Sequence, residues 1–228
     1  TIGLLGGMSW ESTLDYYRLI NQTTKKHLGG LHSAKIAMVS VDFDPIEKLQ
    51  HQGNWHKMAE LLTQSALNVQ AGGADFLLIC TNTMHKVADE IESAIDIPVL
   101  HIADTTGQSL IDDSICSVGL LGTAFTMEQD FYKKRLSDKF GVNVLVPNQE
   151  DRAIIHKVIY IELCQGTINL DSKQEYLRII DELVIKGAQA IILGCTEIGM
   201  LIKQSDTGVK LYDTTQIHAK AAVELALT

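Results

Sequence analysis

The chain has 228 residues, 46% of them hydrophobic and 21% charged, and a formal net charge of −9. That composition excludes a disordered chain. Its acidic balance, with basic residues scattered singly or in pairs such as Lys25–Lys26 and Lys133–Lys134, argues against a nucleic-acid partner.

In chain order, short apolar runs at 1–6, 35–42, 75–80, 98–102, 116–121, 142–146, 189–193 and 209–212 predict strands. Several are continuous in Ile, Leu and Val, the pattern of strands covered on both faces. Helical patterns fill the intervals at 9–28, 54–71, 84–95, 104–113, 126–138, 150–165, 172–186 and 214–227. Asn54 and Asp171 stand where N-caps are wanted, and Gly72 and Gly187 stand as C-terminal stops. Strand–helix alternation of this kind predicts α/β architecture with parallel sheets and right-handed crossovers. No run has the roughly 18 apolar residues of a membrane helix. No secretory signal is visible at the start. The four cysteines (Cys80, Cys116, Cys164, Cys195) form no C-x-x-C pair, so neither a zinc site nor a disulfide framework is expected. Reduced thiols point to the cytoplasm.

The chain reads as a duplication. Gly3-Leu4-Leu5-Gly6 recurs 116 residues on as Gly119-Leu120-Leu121-Gly122, and the run from Gly73 to Thr81 recurs 114 residues on as Gly187 to Cys195. Asp104-Thr105-Thr106 recurs 109 residues on as Asp213-Thr214-Thr215. The expectation is two pseudo-symmetric domains, each a four-stranded parallel sheet flanked by helices, with the active site in the cleft between them. Thr81 and Cys195 then occupy equivalent positions, each just past a buried strand.

Cys195 is the leading chemical candidate. It ends an apolar run and precedes Thr196-Glu197, where the start of a helix is expected to lower its pKa toward the thiolate; the alternative is a buried small hydrophobe. Thr81-Asn82-Thr83-Met84-His85 offers amide, hydroxyl and backbone donors suited to a carboxylate, or equally a helix cap. His85 reads as a packing or surface residue. Gly3 to Ser9 is a strand, a glycine turn and a helix start, with neither a phosphate-loop nor a dinucleotide signature. Asp104 and Asp213 read as helix caps, Trp10 and Trp55 as packing residues. No G-x-S-x-G elbow is present, which leaves a serine hydrolase unsupported.

Together G-L-L-G-G-M-S at 3–9, T-N-T-M-H at 81–85 and G-C-T-E at 194–197 resemble the aspartate/glutamate racemase family, the cofactor-independent amino-acid racemases. The resemblance spans essentially the whole chain. It implies a two-base reaction in which groups on opposite faces of the substrate α-carbon remove and return a proton, with no pyridoxal phosphate and no metal. It implies catalytic Thr81 and Cys195, with Met8, Ser9, Gln50, Asn82, Thr83, Thr123, Cys164, Thr196 and Glu197 as substrate contacts. It implies domains at 1–100 plus 208–228 and at 101–207, and a homodimer acting on a small amino acid. Where typical members have cysteine in the first motif, this chain has Thr81; Cys80, one residue early, falls on the other face of its strand. Basic residues that pair with a distal carboxylate in aspartate-specific relatives are replaced near Gln50 and at Cys164. Losing both charges weakens tight aspartate binding and makes glutamate, with its longer side chain, or a neutral amino acid at least as plausible a substrate. Two alternatives stand beside the racemase: a related decarboxylase, cis–trans isomerase or hydantoin racemase, and a weakly catalytic protein that binds an amino acid.

Overall fold

The computed structural model describes all 228 residues. The chain divides into two compact units, Thr1–Ile102 with His218–Thr228, and Ala103–Ile217. The first part runs β1 (Ile2–Gly6), α1 (Trp10–Leu28), β2 (Ile36–Ser40), α2 (Phe43–His51), α3 (Trp55–Ala71), β3 (Phe76–Ile79), a 3-10 turn at Thr83–Val87 and α4 (Ala88–Glu92). Next come α5 (Ile102–Asp112), β4 (Ser117–Gly122), α6 (Ala124–Glu128), α7 (Asp130–Phe140), β5 (Asn143–Leu145) and α8 (Gln149–Ile161). A second 3-10 turn at Leu163–Gln165 leads to α9 (Leu170–Ile185), β6 (Ala190–Gly194), α10 (Ile198–Leu201), a third such turn at Gln204–Asp206, β7 (Lys210–Asp213) and α11 (Thr214–Leu227). No helix is long and apolar enough to cross a membrane.

Both sheets are parallel, ordered β2-β1-β3 and β5-β4-β6-β7. β1 shows why its sequence is apolar throughout: Leu4 packs with Tyr16, Ile20 and Val223 on one face, Leu5 with Met58, Leu62 and Ile79 on the other. Each such leucine contributes about 1.5–3 kcal/mol through burial. Gly3 permits close packing over this strand, because a Cβ there would fall 2.8 Å from Val69 Cγ1 on α3.

Five expectations are corrected. The strand predicted at 98–102 is only an isolated parallel bridge, Leu77↔Val99, so the first sheet has three strands. Pro98 has no N–H to donate, and α5 already begins at Ile102. Residues 208–228 do not return as one piece: Lys210–Asp213 pairs with β6, and only His218–Thr228 joins the first unit. The N-cap of α9 is Asn169, which accepts from the Asp171 N–H at 2.9 Å, in place of Asp171 itself. Asp104 lies inside α5 and binds Arg135 (2.6 and 2.9 Å) and Lys139 (2.6 Å), whereas Asp213 does cap α11 through the N–H groups of Thr215 and Gln216. Trp10, read as a packing residue, is exposed.

Candidate active site

In the first unit, β1 ends at Gly6 and turns through Gly7 and Met8 into Ser9, the N-cap of α1. Gly7 has φ +94°, and a Cβ there would lie 2.2 Å from the Val41 carbonyl oxygen, so only glycine fits. Its N–H donates to Thr13 Oγ1 (2.7 Å), whose hydroxyl donates to the Ser9 carbonyl (2.9 Å). Ser12 Oγ donates to the Cys80 carbonyl at 3.0 Å. That bond ties the start of α1 to the peptide leading into Thr81. Met8 is buried in the same cluster as Ile46, which sits on α2 one turn before the buried Gln50.

Thr81, Asn82 and Thr83 follow β3 and are all buried. The change of face across one residue is present: Ile79 packs in the α3 layer, Cys80 in the α1 layer. Burial there pushes the Cys80 thiol pKa up, which removes it as a base. The Thr81 N–H donates to the Ile79 carbonyl at 2.8 Å. Its carbonyl lies 2.8 Å from His85 Nδ1, a contact that reading the motif for substrate donors alone does not reveal. The signal that could have found it is the four-residue spacing, which lets a helical side chain reach back to the carbonyl one turn earlier.

In the second unit, Thr123 and Cys195 each stand one residue beyond the register pair Gly122↔Gly194. Thr123 caps α6, its Oγ1 accepting from the Thr126 N–H at 3.3 Å. Cys195 Sγ donates to Glu197 Oε2 at 3.0 Å, and the same oxygen accepts the Thr196 hydroxyl at 2.7 Å. All three side chains are buried. Cys164, half-buried in the turn after α8, packs against the cluster that holds Cys195.

The expected lowering of the Cys195 pKa is reversed. Burial first, then the Glu197 charge and the neighbouring Cys164, push the thiol well above its ordinary value. The cause is local. α10 is a single turn of four residues, Ile198–Leu201, so it brings little helix-end charge. A carboxylate meanwhile sits against the sulfur itself. As folded, Cys195 is a protonated thiol with its proton directed at Glu197. No group of three or more His, Cys, Asp or Glu side chains is placed to hold a metal ion.

Comparison with known proteins follows the same lines. Residues 5–222 match the Asp/Glu/Hydantoin racemase family. The broad-specificity amino-acid racemase RacX of Bacillus subtilis (strain 168) is 22% identical over 227 residues, 99% of this chain and 98% of that protein. The crystal structure of a candidate Asp/Glu racemase from Yersinia pestis is similar at 51% identity and TM-score 0.93, covering 100% of this chain and 99% of its own. An aspartate racemase homologue from Pyrococcus horikoshii OT3 is similar at 30% identity and TM-score 0.87, with the same coverage of 100% and 99%.

Proposed function

This chain belongs to the Asp/Glu/hydantoin racemase family, and we propose that its reaction is the cofactor-independent inversion of an acidic amino acid, glutamate or aspartate, at the α-carbon. The observation that carries the mechanism is the Cys195–Glu197 hydrogen bond of 3.0 Å. It gives the thiol proton a destination: Cys195 passes it to the Glu197 carboxylate, and the resulting thiolate removes the substrate α-proton. Glu197, expected among the substrate contacts, is thereby assigned to Cys195. On the opposite face Thr81 delivers a proton from its hydroxyl, and the proton parked on Glu197 returns through water to the Thr81 oxygen, which restores both groups for the next turnover. Asn82, Thr83, Thr123, Thr196, Ser9 and the neighbouring Met8 supply the donors and walls that hold the substrate carboxylates, where fixed donors stabilise charge spreading from the α-carbon. Gln50 and Cys164, both uncharged as groups that could meet a distal carboxylate, fit either side-chain length. A homodimer in the cytoplasm, with its four cysteines as free thiols, is the working form.

Enantiomers have equal free energy, so kcat/KM is the same in both directions. Asymmetry of the Thr81/Cys195 pair therefore emerges as matched differences in kcat and KM. A hydroxyl is a poor general base at neutral pH, so turnover is slow and the two kcat values differ markedly. Comparable kcat values would refute this pairing.

The test is α-proton exchange in D₂O followed by proton NMR, with L- and D-glutamate and L- and D-aspartate offered separately to wild type and Cys195→Ala. The expected result is loss of the α-proton signal that depends on Cys195, together with the opposite enantiomer on chiral analysis. Silence with all four amino acids, with binding retained, would favour the amino-acid-binding reading, for which the raised Cys195 pKa speaks.

A further inference from the structure

The peptide that carries Thr81 has left the sheet. The last bond it draws from β1 is Cys80 N–H to the Leu5 carbonyl at 2.9 Å, and beyond that no strand faces the Thr81 carbonyl. An unpaired buried carbonyl is costly and lets its peptide rotate. Here the His85 ring occupies that position. Nδ1 lies 2.8 Å from the Thr81 carbonyl oxygen, and Nε2 lies 3.2 Å from the backbone nitrogen of Ile102, the first residue of α5.

The chemistry of the two partners fixes the state of the ring. A carbonyl only accepts, so Nδ1 carries the hydrogen; an N–H only donates, so Nε2 keeps its lone pair. The ring joins the Thr81 loop to the start of α5 only as the neutral Nδ1–H tautomer. Packing holds it there: His85 is buried, its ring centroid is 4.4 Å from that of His101 and 6.0 Å from that of His218. His218 is itself anchored between the Tyr16 hydroxyl (2.8 Å) and the Leu100 carbonyl (2.7 Å).

We propose that His85 is a positioning residue for Thr81, fixing the orientation of the Thr81 peptide, and hence of its hydroxyl, through the Nδ1–H bond to the Thr81 carbonyl. It takes up no substrate proton. The inference rests on Thr81 being the proton donor of a racemase, and it adds a requirement: inversion depends on His85, while proton removal by Cys195 does not.

Two substitutions separate the two bonds. In His85→Asn the amide NH₂ overlays Nδ1, which keeps the bond to Thr81 and loses that to Ile102. In His85→Gln the amide oxygen overlays Nε2, which keeps the bond to Ile102 and loses that to Thr81. The readout is the ratio of inversion to exchange with retained configuration in D₂O, for the enantiomer whose α-proton Cys195 removes. This internal ratio is insensitive to how much protein is folded. His85→Gln is expected to lower it by roughly tenfold or more, as for a misplaced reacting group, with KM little changed, while His85→Asn stays near wild type. An unchanged ratio in His85→Gln, or an equal fall in both variants, would overturn the positioning role. Independently of activity, ¹⁵N–¹H correlation of the His85 ring at neutral pH should report the Nδ1–H tautomer; an Nε2–H ring would overturn the clamp. Wild-type silence with every amino acid would instead strike at the racemase reading, and the Thr81 role with it, leaving the tautomer to judge the clamp.

Discussion

A thiol that removes a proton from carbon must first lose its own, and at Cys195 two effects oppose that loss: burial and the negative charge of Glu197. The same carboxylate that raises the thiol pKa is the acceptor for its proton, so its removal should split two properties that ordinarily move together. In Glu197→Gln the charge is gone and the thiol pKa falls, so alkylation of Cys195 by iodoacetamide at pH 7–8 should quicken. The amide accepts no proton, so α-proton exchange should slow by about 10²-fold, the lower end of what a general acid–base group contributes. Exchange that rose together with alkylation would show Glu197 to be only a brake on thiolate formation. The positions of Thr81 and Cys195 are legible in the sequence because the repeat aligns them after two apolar strands. The ionisation of Cys195 is not, since it hangs on a side-chain contact two residues away and on how many turns α10 makes. His85 is less legible for a related reason: its value lies in a bond to a main-chain carbonyl, which only its four-residue spacing from Thr81 marks in the sequence.

At the scale of elements, periodicity located most strands and helices, and it failed where a main-chain detail outranked the apolar pattern. Pro98 reduced a predicted strand to one bridge. The apolar pattern predicts no helix over α2, where Asp42 caps the helix by accepting from the Asp44 N–H at 3.3 Å and Pro45 sits in its first turn, where a missing N–H costs nothing. Glycines separate into two kinds that sequence alone does not distinguish. Gly187 has φ +100° with open space where a Cβ would go; Gly7 has φ +94°, with Val41 main-chain atoms 2.2 and 2.5 Å from that point. Gly187→Ala should therefore cost about 1–2 kcal/mol, from backbone strain alone. Gly7→Ala adds a main-chain clash and should exceed about 3 kcal/mol, because the turn into Ser9 must open. Urea denaturation of the two variants gives the comparison directly, and equal losses would contradict the distinction.

At the scale of the whole molecule, the two sheets share one connectivity: the second strand lies beside the first, the first beside the third, and the fourth segment beyond, as β7 in one sheet and as the Leu77↔Val99 bridge in the other. Two of the three repeated peptides are the strand pairs β1/β4 and β3/β6 on which this connectivity is built, and the third, Asp104-Thr105-Thr106 with Asp213-Thr214-Thr215, comes just after the fourth positions, which themselves diverged. What composition does not convey is how stability depends on pH. Burial lowers the His218 pKa to about 4 from its ordinary 6.5. The unfolded chain thus takes up a proton near pH 6.5 that the folded chain refuses until about pH 4. Stability from this group is complete above pH 6.5 and declines as pH falls between those two values, by at most roughly 3 kcal/mol. Asp104 acts at lower pH. Burial works against its charge, but Arg135 and Lys139 outweigh it and hold the carboxyl below its usual range, so its contribution is lost only in stronger acid. In His218→Gln the amide can still donate to the Leu100 carbonyl, but nothing titrates. The variant should be less stable than wild type at pH 7, having lost the Tyr16 contact, and the gap should narrow by about 2 kcal/mol at pH 4.5. A gap that stayed constant between the two pH values in urea denaturation would mean that His218 takes its proton equally well in the folded and unfolded chains.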